Sequence, residues 1–313
     1  MKVLISGLVN IETTLRINSF PIHYYPVDYP FYGIHSSVSG VAYNLAKALG
    51  TLENSVQLFS LLGKDDEAWR ILNQLQKDNI STRGIMQILN QTPVSVILYD
   101  KEGKRQIYCD LKDIQEKKLP MEQEQLETAV KECDLVVACN INFNRPLLKK
   151  AKQFGKQIAT DVHVLSDLED EFNREFMEYA DILFLSDEKL PCGPEEFLCQ
   201  LAGKYKNKVI VVGRGSRGAM LYDREQNQLW QLGSVPCDKV VNTVGAGDAL
   251  FSSFLHYYQK EYSPVEALVR AEAFASIKIG YNGAANGFCS EAEIEKTILD
   301  RRPAVNKLNL ECI

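Results

Sequence analysis

The sequence is most easily bounded by what it lacks. No run approaches the roughly 20 apolar residues that a membrane-crossing helix needs. The opening MKVLISGLVN has one lysine and a short apolar stretch, so it reads as a first core strand rather than a signal peptide. The excess of basic charge that a general nucleic-acid binder uses to displace counterions is missing, because the net charge is -6. There is no Walker A sequence, so this is not a P-loop enzyme, and no H-E-x-x-H, G-x-S-x-G or Cys/His cluster. The four histidines, His23, His35, His163 and His256, show no ligand spacing, which leaves each as a surface or satisfied core residue. The eight cysteines include no C-x-x-C pair. They read as reduced thiols filling core space in a cytoplasmic protein.

What is present is an alternation. Apolar, β-rich runs (VLISGLV, VQLFSLLG, LVVACN, QIATDVH, DILFLS, KVIVVG) take turns with amphipathic stretches. The latter begin near Val41, Asp66, Met121, Arg145, Glu171, Gly193, Gly247, Pro264 and Glu291. Continuous apolarity in the strands predicts burial on both faces. The alternation therefore predicts an α/β fold with a mostly parallel sheet between two helical layers. Over 313 residues that allows one large domain or two small ones. Two segments break the rhythm. Leu15 to Ser36 is rich in Tyr and Pro, and Pro93 to Asp110 alternates about the turn Asp100-Lys101-Glu102-Gly103. They predict either plain surface hairpins or a small β-lid that covers a ligand or meets a second subunit.

Two glycine-rich segments carry chemistry. VVGRGSRGAMLYD contains G-x-G-x-x-G at Gly213, Gly215 and Gly218. A dinucleotide fingerprint would open a helix at the third glycine, whereas AMLYD and QLWQL alternate like strands. The segment reads as strand-turn-strand, either a plain hairpin turn or one whose bare backbone approaches an adenine or a phosphate. In NTVGAGDALFSSF, Leu250, Phe251, Phe254 and Leu255 form a helical stripe, so the glycines sit at a helix N-terminus. That end presents unpaired N–H groups and positive potential, a natural anion site. A carboxylate there suits a proton acceptor for a hydroxyl attacking a bound phosphate. It would equally suit a tight turn whose acid offsets the helix dipole.

With these pieces in order, the chain resembles the ribokinase-like carbohydrate kinases of the PfkB family over nearly its whole length. NTVGAGD resembles that family's D-T-x-G-A-G-D signature. The segment from Ser39-Gly40 through Asn44 to the turn Gly63-Lys64-Asp65-Asp66 resembles its N-terminal signature. GRGSRG resembles its nucleotide-binding T-L-G-x-x-G. The resemblance implies one ribokinase-like domain over residues 1–313, with residues 12–36 and 93–110 giving strands of the β-lid. It implies ATP-dependent phosphorylation of a sugar or nucleoside hydroxymethyl group, with ATP and Mg²⁺ as cofactors. Asp248 would be the base, and the amides of Gly245, Ala246 and Gly247 the anion hole. Gly40, Asn44 and Glu12 (where the family usually has aspartate) would meet substrate hydroxyls. Ser186, Gly213, Arg214, Gly215 and Gly218 would border the nucleotide.

Departures from the family pattern refine these expectations. Ser39 replaces the first glycine of a pair. Val41 stands where sugar-phosphate kinases often carry lysine, which favours an unphosphorylated substrate. The family's N-x-x-E reads Ser186-Asp187-Glu188-Lys189, so Glu188, or Asp187, would reach Mg²⁺ through water, unless the turn is simply solvated. Asn242 replaces an acid that helps hold a monovalent cation; its amide oxygen can still coordinate that cation but brings no charge, so K⁺ activation is expected to be weak or absent, with Lys278 supplying positive charge. The lid tyrosines could stack on a nucleobase. A homodimer through the lid, and no nucleic-acid or membrane partner, complete the expectations. A kinase-fold binding or regulatory protein with little catalysis is the alternative.

Overall fold

The computed structural model describes residues 1–309. The chain opens with β1 (Lys2–Ser6), β2 (Asn10–Arg16) and β3 (Ile34–Ser39). Then come α1 (Val41–Thr51), β4 (Ser55–Leu62), α2 (Asp66–Lys77) and the short β5 (Ile85–Gln87). The hairpin of β6 (Val94–Tyr99) and β7 (Arg105–Asp110) follows. A regular alternation continues with α3 (Gln123–Glu132), β8 (Leu135–Ala138), α4 (Arg145–Gln153), β9 (Gln157–Val164) and α5 (Arg174–Tyr179). It ends with β10 (Ile182–Ser186), α6 (Pro194–Lys204) and β11 (Val209–Gly213). The chain closes with β12 (Ala219–Asp223), β13 (Gln228–Leu232), α7 (Ala246–Gln259), α8 (Pro264–Lys278), α9 (Glu291–Arg301) and β14 (Val305–Leu308).

Ten strands form one sheet in the order β14-β13-β12-β11-β10-β9-β8-β1-β4-β5. From β11 to β5 every pairing is parallel, and β12, β13 and β14 add antiparallel edge strands. The continuous apolar runs have the predicted cause. Along β10, Ile182 and Phe184 pack with α1, α7 and α8, while Leu183 and Leu185 pack with α3, α4 and α6. Successive side chains point to opposite faces, so a strand covered on both sides must be apolar throughout. The helices obey their own local chemistry. Asp65 caps α2 by accepting from the Ala68 amide at 2.9 Å, and Ser290 and Glu293 form a capping box on α9.

A second, four-stranded sheet has the order β3-β2-β6-β7. This is the small lid. It starts at Asn10, two residues earlier than the sequence suggested, and β2 pairs antiparallel with β3 but parallel with β6. Residues 17–33 between β2 and β3 form no strand, and Tyr24, Tyr25, Tyr29 and Tyr32 lie exposed there. The sequence reading missed β5 and β14. Both are short and end the large sheet, so neither carries the double-sided apolarity that marks its central strands. Cys109, Cys133, Cys139, Cys192, Cys237 and Cys289 are free thiols, but only Cys133, Cys139 and Cys289 among them are buried and Cys109 is exposed. Cys199 is disulfide-bonded, against the expectation of reduced cysteines throughout, and Cys312 lies outside the described residues. Among the described residues no helix is long and apolar enough to cross a membrane.

Candidate active site

The C-terminal ends of the parallel strands and the inner edge of the lid meet over the start of two helices. Helix α1 begins after Gly40, whose φ of +99° only glycine adopts readily. A Cβ there would stand 2.5 Å from the Leu8 carbonyl oxygen, so the close approach of β1's exit loop also demands glycine. One turn along, Asn44 is buried and donates from Nδ2 to Asp248 Oδ2 at 2.6 Å. Helix α7 begins after Gly245, in left-handed conformation at φ +79°. A Cβ on Gly245 would meet the Ala284 carbonyl oxygen at 2.3 Å, whereas one on Gly247 would meet nothing within 4 Å. Gly247 therefore borders open space, and Asp248 sits in the first turn beside it.

From the lid, Glu12 on β2 is buried and accepts from the Ser39 hydroxyl at 3.0 Å, leaving its Oε1 without a partner. Its neighbour Asn10 likewise keeps a buried, unpaired Oδ1, while its Nδ2 donates to Ser95 at 3.0 Å. Lys278, at the end of α8, is fully buried and donates to the Val244 carbonyl oxygen, directly before the glycine turn. These charges perturb one another. Burial pushes the Asp248 carboxyl up; the Asn44 hydrogen bond, His163 and Lys278 pull it down, and Asp161 adds repulsion. Burial also raises Glu12, with Ser39 and Lys278 opposing and Asp248 reinforcing. Burial drives Lys278 down to about 8, although Asp248 and Glu12 favour its charged form.

The glycine hairpin lies at the end of β11. Gly215 and Gly218 both have positive φ, and a Cβ on Gly218 would fall 2.1 Å from the Leu232 carbonyl oxygen. The hairpin is tied to the β10 exit. The Asp187 amide donates to the Gly213 carbonyl at 3.0 Å, and the Asp187 carboxylate faces Arg214 and Arg217. Ser186 accepts from the Glu188 amide at 3.3 Å. Arg105, from β7 of the lid, reaches Glu188 at 3.1 Å and the Thr243 carbonyl at 3.3 Å. Sequence reading missed Arg105, because it sits among alternating lid residues with no motif around it.

Asn242 has both amide atoms in use. Its Oδ1 accepts from the Val244 amide at 2.8 Å and its Nδ2 donates to Asn282 at 3.1 Å. Among the described residues no group of three or more His, Cys, Asp or Glu is arranged to hold a metal ion.

A lidded α/β sheet, a glycine hairpin at its edge, and one acid beside a glycine turn at a helix N-terminus define a small-molecule kinase. The chain belongs to the pfkB family of carbohydrate kinases, whose model matches residues 7–291. It is thus an ATP-binding phosphotransferase with an alcohol acceptor. Among similar proteins, an ATP-dependent ribose-1-phosphate kinase of Halopiger xanaduensis (strain DSM 18323 / JCM 14033 / SH-6) is 24% identical over 93% of this chain and 96% of its own. A ribokinase of Dictyostelium discoideum is 26% identical over 82% and 88%. Among solved structures, a microbiome-derived acarbose kinase has a TM-score of 0.83 at 20% identity, covering 95% of this chain and 98% of that one.

Proposed function

We propose that the protein transfers the γ-phosphoryl group of ATP to the hydroxymethyl group of an unphosphorylated sugar or nucleoside. The observation that carries this reading is the 2.6 Å hydrogen bond between Asn44 and Asp248. It joins the two halves of the chain at one point, beside the left-handed Gly245 turn and open space at Gly247. Asp248 takes the proton of the acceptor hydroxyl, and its raised carboxyl is suited to holding that proton as the bond forms. The amides of Gly245, Ala246 and Gly247 receive the charge that develops on the transferring phosphoryl group. Glu12, Asn44 and the backbone at Gly40 hold substrate hydroxyls. The unpaired Oε1 of Glu12 and Oδ1 of Asn10 support this, since buried acceptors ordinarily have donors and a polyol supplies them.

Ser186, Gly213, Arg214, Gly215 and Gly218 border the nucleotide, and Glu188 would hold its magnesium through water. Magnesium, when bound, neutralises phosphate charge; the protein's own part is positioning and exclusion of water. Because the Asn242 amide brings no charge, its Oδ1 already accepts from the Val244 amide and the Lys278 ammonium holds the Val244 carbonyl, we assign the fixed positive charge beside the anion hole to Lys278 rather than to a potassium ion. The test is ATP consumption over ribose, fructose, inosine, adenosine and ribose-1-phosphate. Turnover of an unphosphorylated acceptor is expected. Turnover of ribose-1-phosphate alone, or of none, overturns the proposal.

A further inference from the structure

Two residues that depart from the family pattern lie at the two ends of one hydrogen bond. Ser39, in place of the first glycine of a pair, donates from its hydroxyl to Oε2 of Glu12, which stands in place of an aspartate, at 3.0 Å. Both residues are buried. The strand register explains why the bond needs these residue types. On the lid, Asn10 of β2 stands opposite Ser39 of β3 and Glu12 stands opposite Ser37, so Glu12 meets Ser39 on the diagonal. Diagonal neighbours lie about 7–8 Å apart, a gap that long side chains span. A carboxylate one methylene shorter would fall outside hydrogen-bond reach, and a glycine at position 39 would offer no hydroxyl. Ser39 Oγ also stands 3.5 Å from Asn44 Oδ1, but a hydroxyl has one proton, which goes to the nearer acceptor on Glu12.

We propose that Ser39 and Glu12 are a matched pair that sets acceptor specificity: Ser39 takes up one carboxylate oxygen, so the acceptor is held through one hydroxyl at Glu12 and another at Asn10. This rests on the reading that Glu12 meets substrate hydroxyls. A carboxylate with both oxygens free can accept from the two neighbouring hydroxyls of a cis-diol. Here Oε2 is occupied, and Oε1 is left buried without a partner. Asn10 Oδ1, on the same strand, is buried and unpaired as well. Asn10 and Glu12 share one face of β2, but their hydrogen bonds draw them to opposite sides. Glu12 leans toward Ser39 on β3, and Asn10 donates to Ser95 on β6 at 3.0 Å. Two acceptors drawn apart in this way do not grip adjacent hydroxyls as one carboxylate does. The pair therefore relaxes the demand for a cis-diol. Ser39 acts through Glu12, as a positioning residue.

The first part of the test needs no acceptor. Urea denaturation is measured for wild type, Ser39→Ala, Glu12→Asp and the double variant. In the wild-type background, Ser39→Ala is expected to lower the folded-to-unfolded ratio by about 10–100-fold, the range for a hydrogen bond to a charged group. In the Glu12→Asp background, where the carboxylate falls short, the same change should cost no more than about 2-fold, the limit for uncoupled sites. Equal losses in the two backgrounds overturn the pair. The second part reads specificity, which a serine that only supports the fold would leave unchanged. Ribose and arabinose differ only at C2, so the 2,3-diol is cis in ribose and trans in arabinose. Wild type is expected to use both, with kcat/KM values within about 10-fold, the worth of one ordinary hydrogen bond. Ser39→Ala frees Oε2 and should raise the preference for ribose by about a further 10-fold, through KM rather than kcat. A ratio that does not move in Ser39→Ala, or a stronger ribose preference already present in wild type, overturns the proposal. If no acceptor turns over, the kinase reading fails on its own, while the urea cycle still decides whether Ser39 and Glu12 act as a pair.

Discussion

Lys278 offers a perturbation whose cost and benefit have opposite signs. Its side chain is fully buried and its ammonium is held by one main-chain carbonyl, that of Val244. A drop from 10.5 to about 8 is worth roughly 3 kcal/mol at 1.36 kcal/mol per pH unit. The sign follows from linkage. At pH 7 the lysine is protonated folded and unfolded, so the folded state bears the whole penalty; stability rises only as pH climbs from the folded value toward the unfolded one. Lys278→Met removes that penalty and leaves the Val244 carbonyl without its donor, which costs about 1–3 kcal/mol. The net expectation at pH 7 is a protein equal to wild type or up to about 2 kcal/mol more stable in urea denaturation. Turnover should nevertheless fall by about 10²–10³, the usual effect of losing one fixed group that stabilises transition-state charge. Wild-type activity should be equal in potassium and choline chloride. In Lys278→Ala, where a hole replaces the ammonium, potassium should restore part of the rate and choline should not. A Lys278→Met protein that is less stable and equally active would make Lys278 a structural peg and refute the reasoning. A strong potassium requirement in wild type would do the same.

Asp248→Asn should lower kcat by about 10²–10⁴ while ATP affinity, measured by calorimetry, stays near wild type. It should also raise the melting temperature at pH 7: burial raises the folded carboxyl above its unfolded value, so stability is fully present below the unfolded value and lost as pH rises through the folded one. A lower melting temperature would show that the ionised carboxylate is structurally required. Gly245→Ala and Gly247→Ala separate the two roles of the turn. The first forces alanine into φ +79° and onto the Ala284 carbonyl, and should cost about 1–3 kcal/mol or more in thermal unfolding as well as activity. The second meets nothing within 4 Å, so it should melt like wild type yet turn over poorly, because its methyl enters the space intended for the phosphoryl group. Full activity in Gly247→Ala would remove the anion hole from that position.

How far the sequence could be read depended on whether a residue's role is local. The nine helices of the described residues begin within about three positions of where capping and periodicity placed them, because the first turn of a helix is decided by nearby residues. The six central strands were legible for a related reason: burial on both faces leaves a continuous apolar run. The glycines were legible because positive φ, at Gly40, Gly215, Gly218 and Gly245, excludes most other residues. Asp161 and His163 left no such trace. TDVHV reads as an ordinary strand, and its bulge exists only in the pairing of β9 with β10. Lys278 was noticed for its position, but its burial and its grip on Val244 depend on α8 packing against α7. The same holds for Asn242. The sequence departs from the family pattern there by lacking a charge, while the positive charge that we assign in its place lies 36 residues away, on Lys278 at the end of another helix. If the substitution and the buried lysine are one change, Asn242→Asp placed on Lys278→Ala should enlarge the potassium-dependent part of the rate beyond that of Lys278→Ala alone.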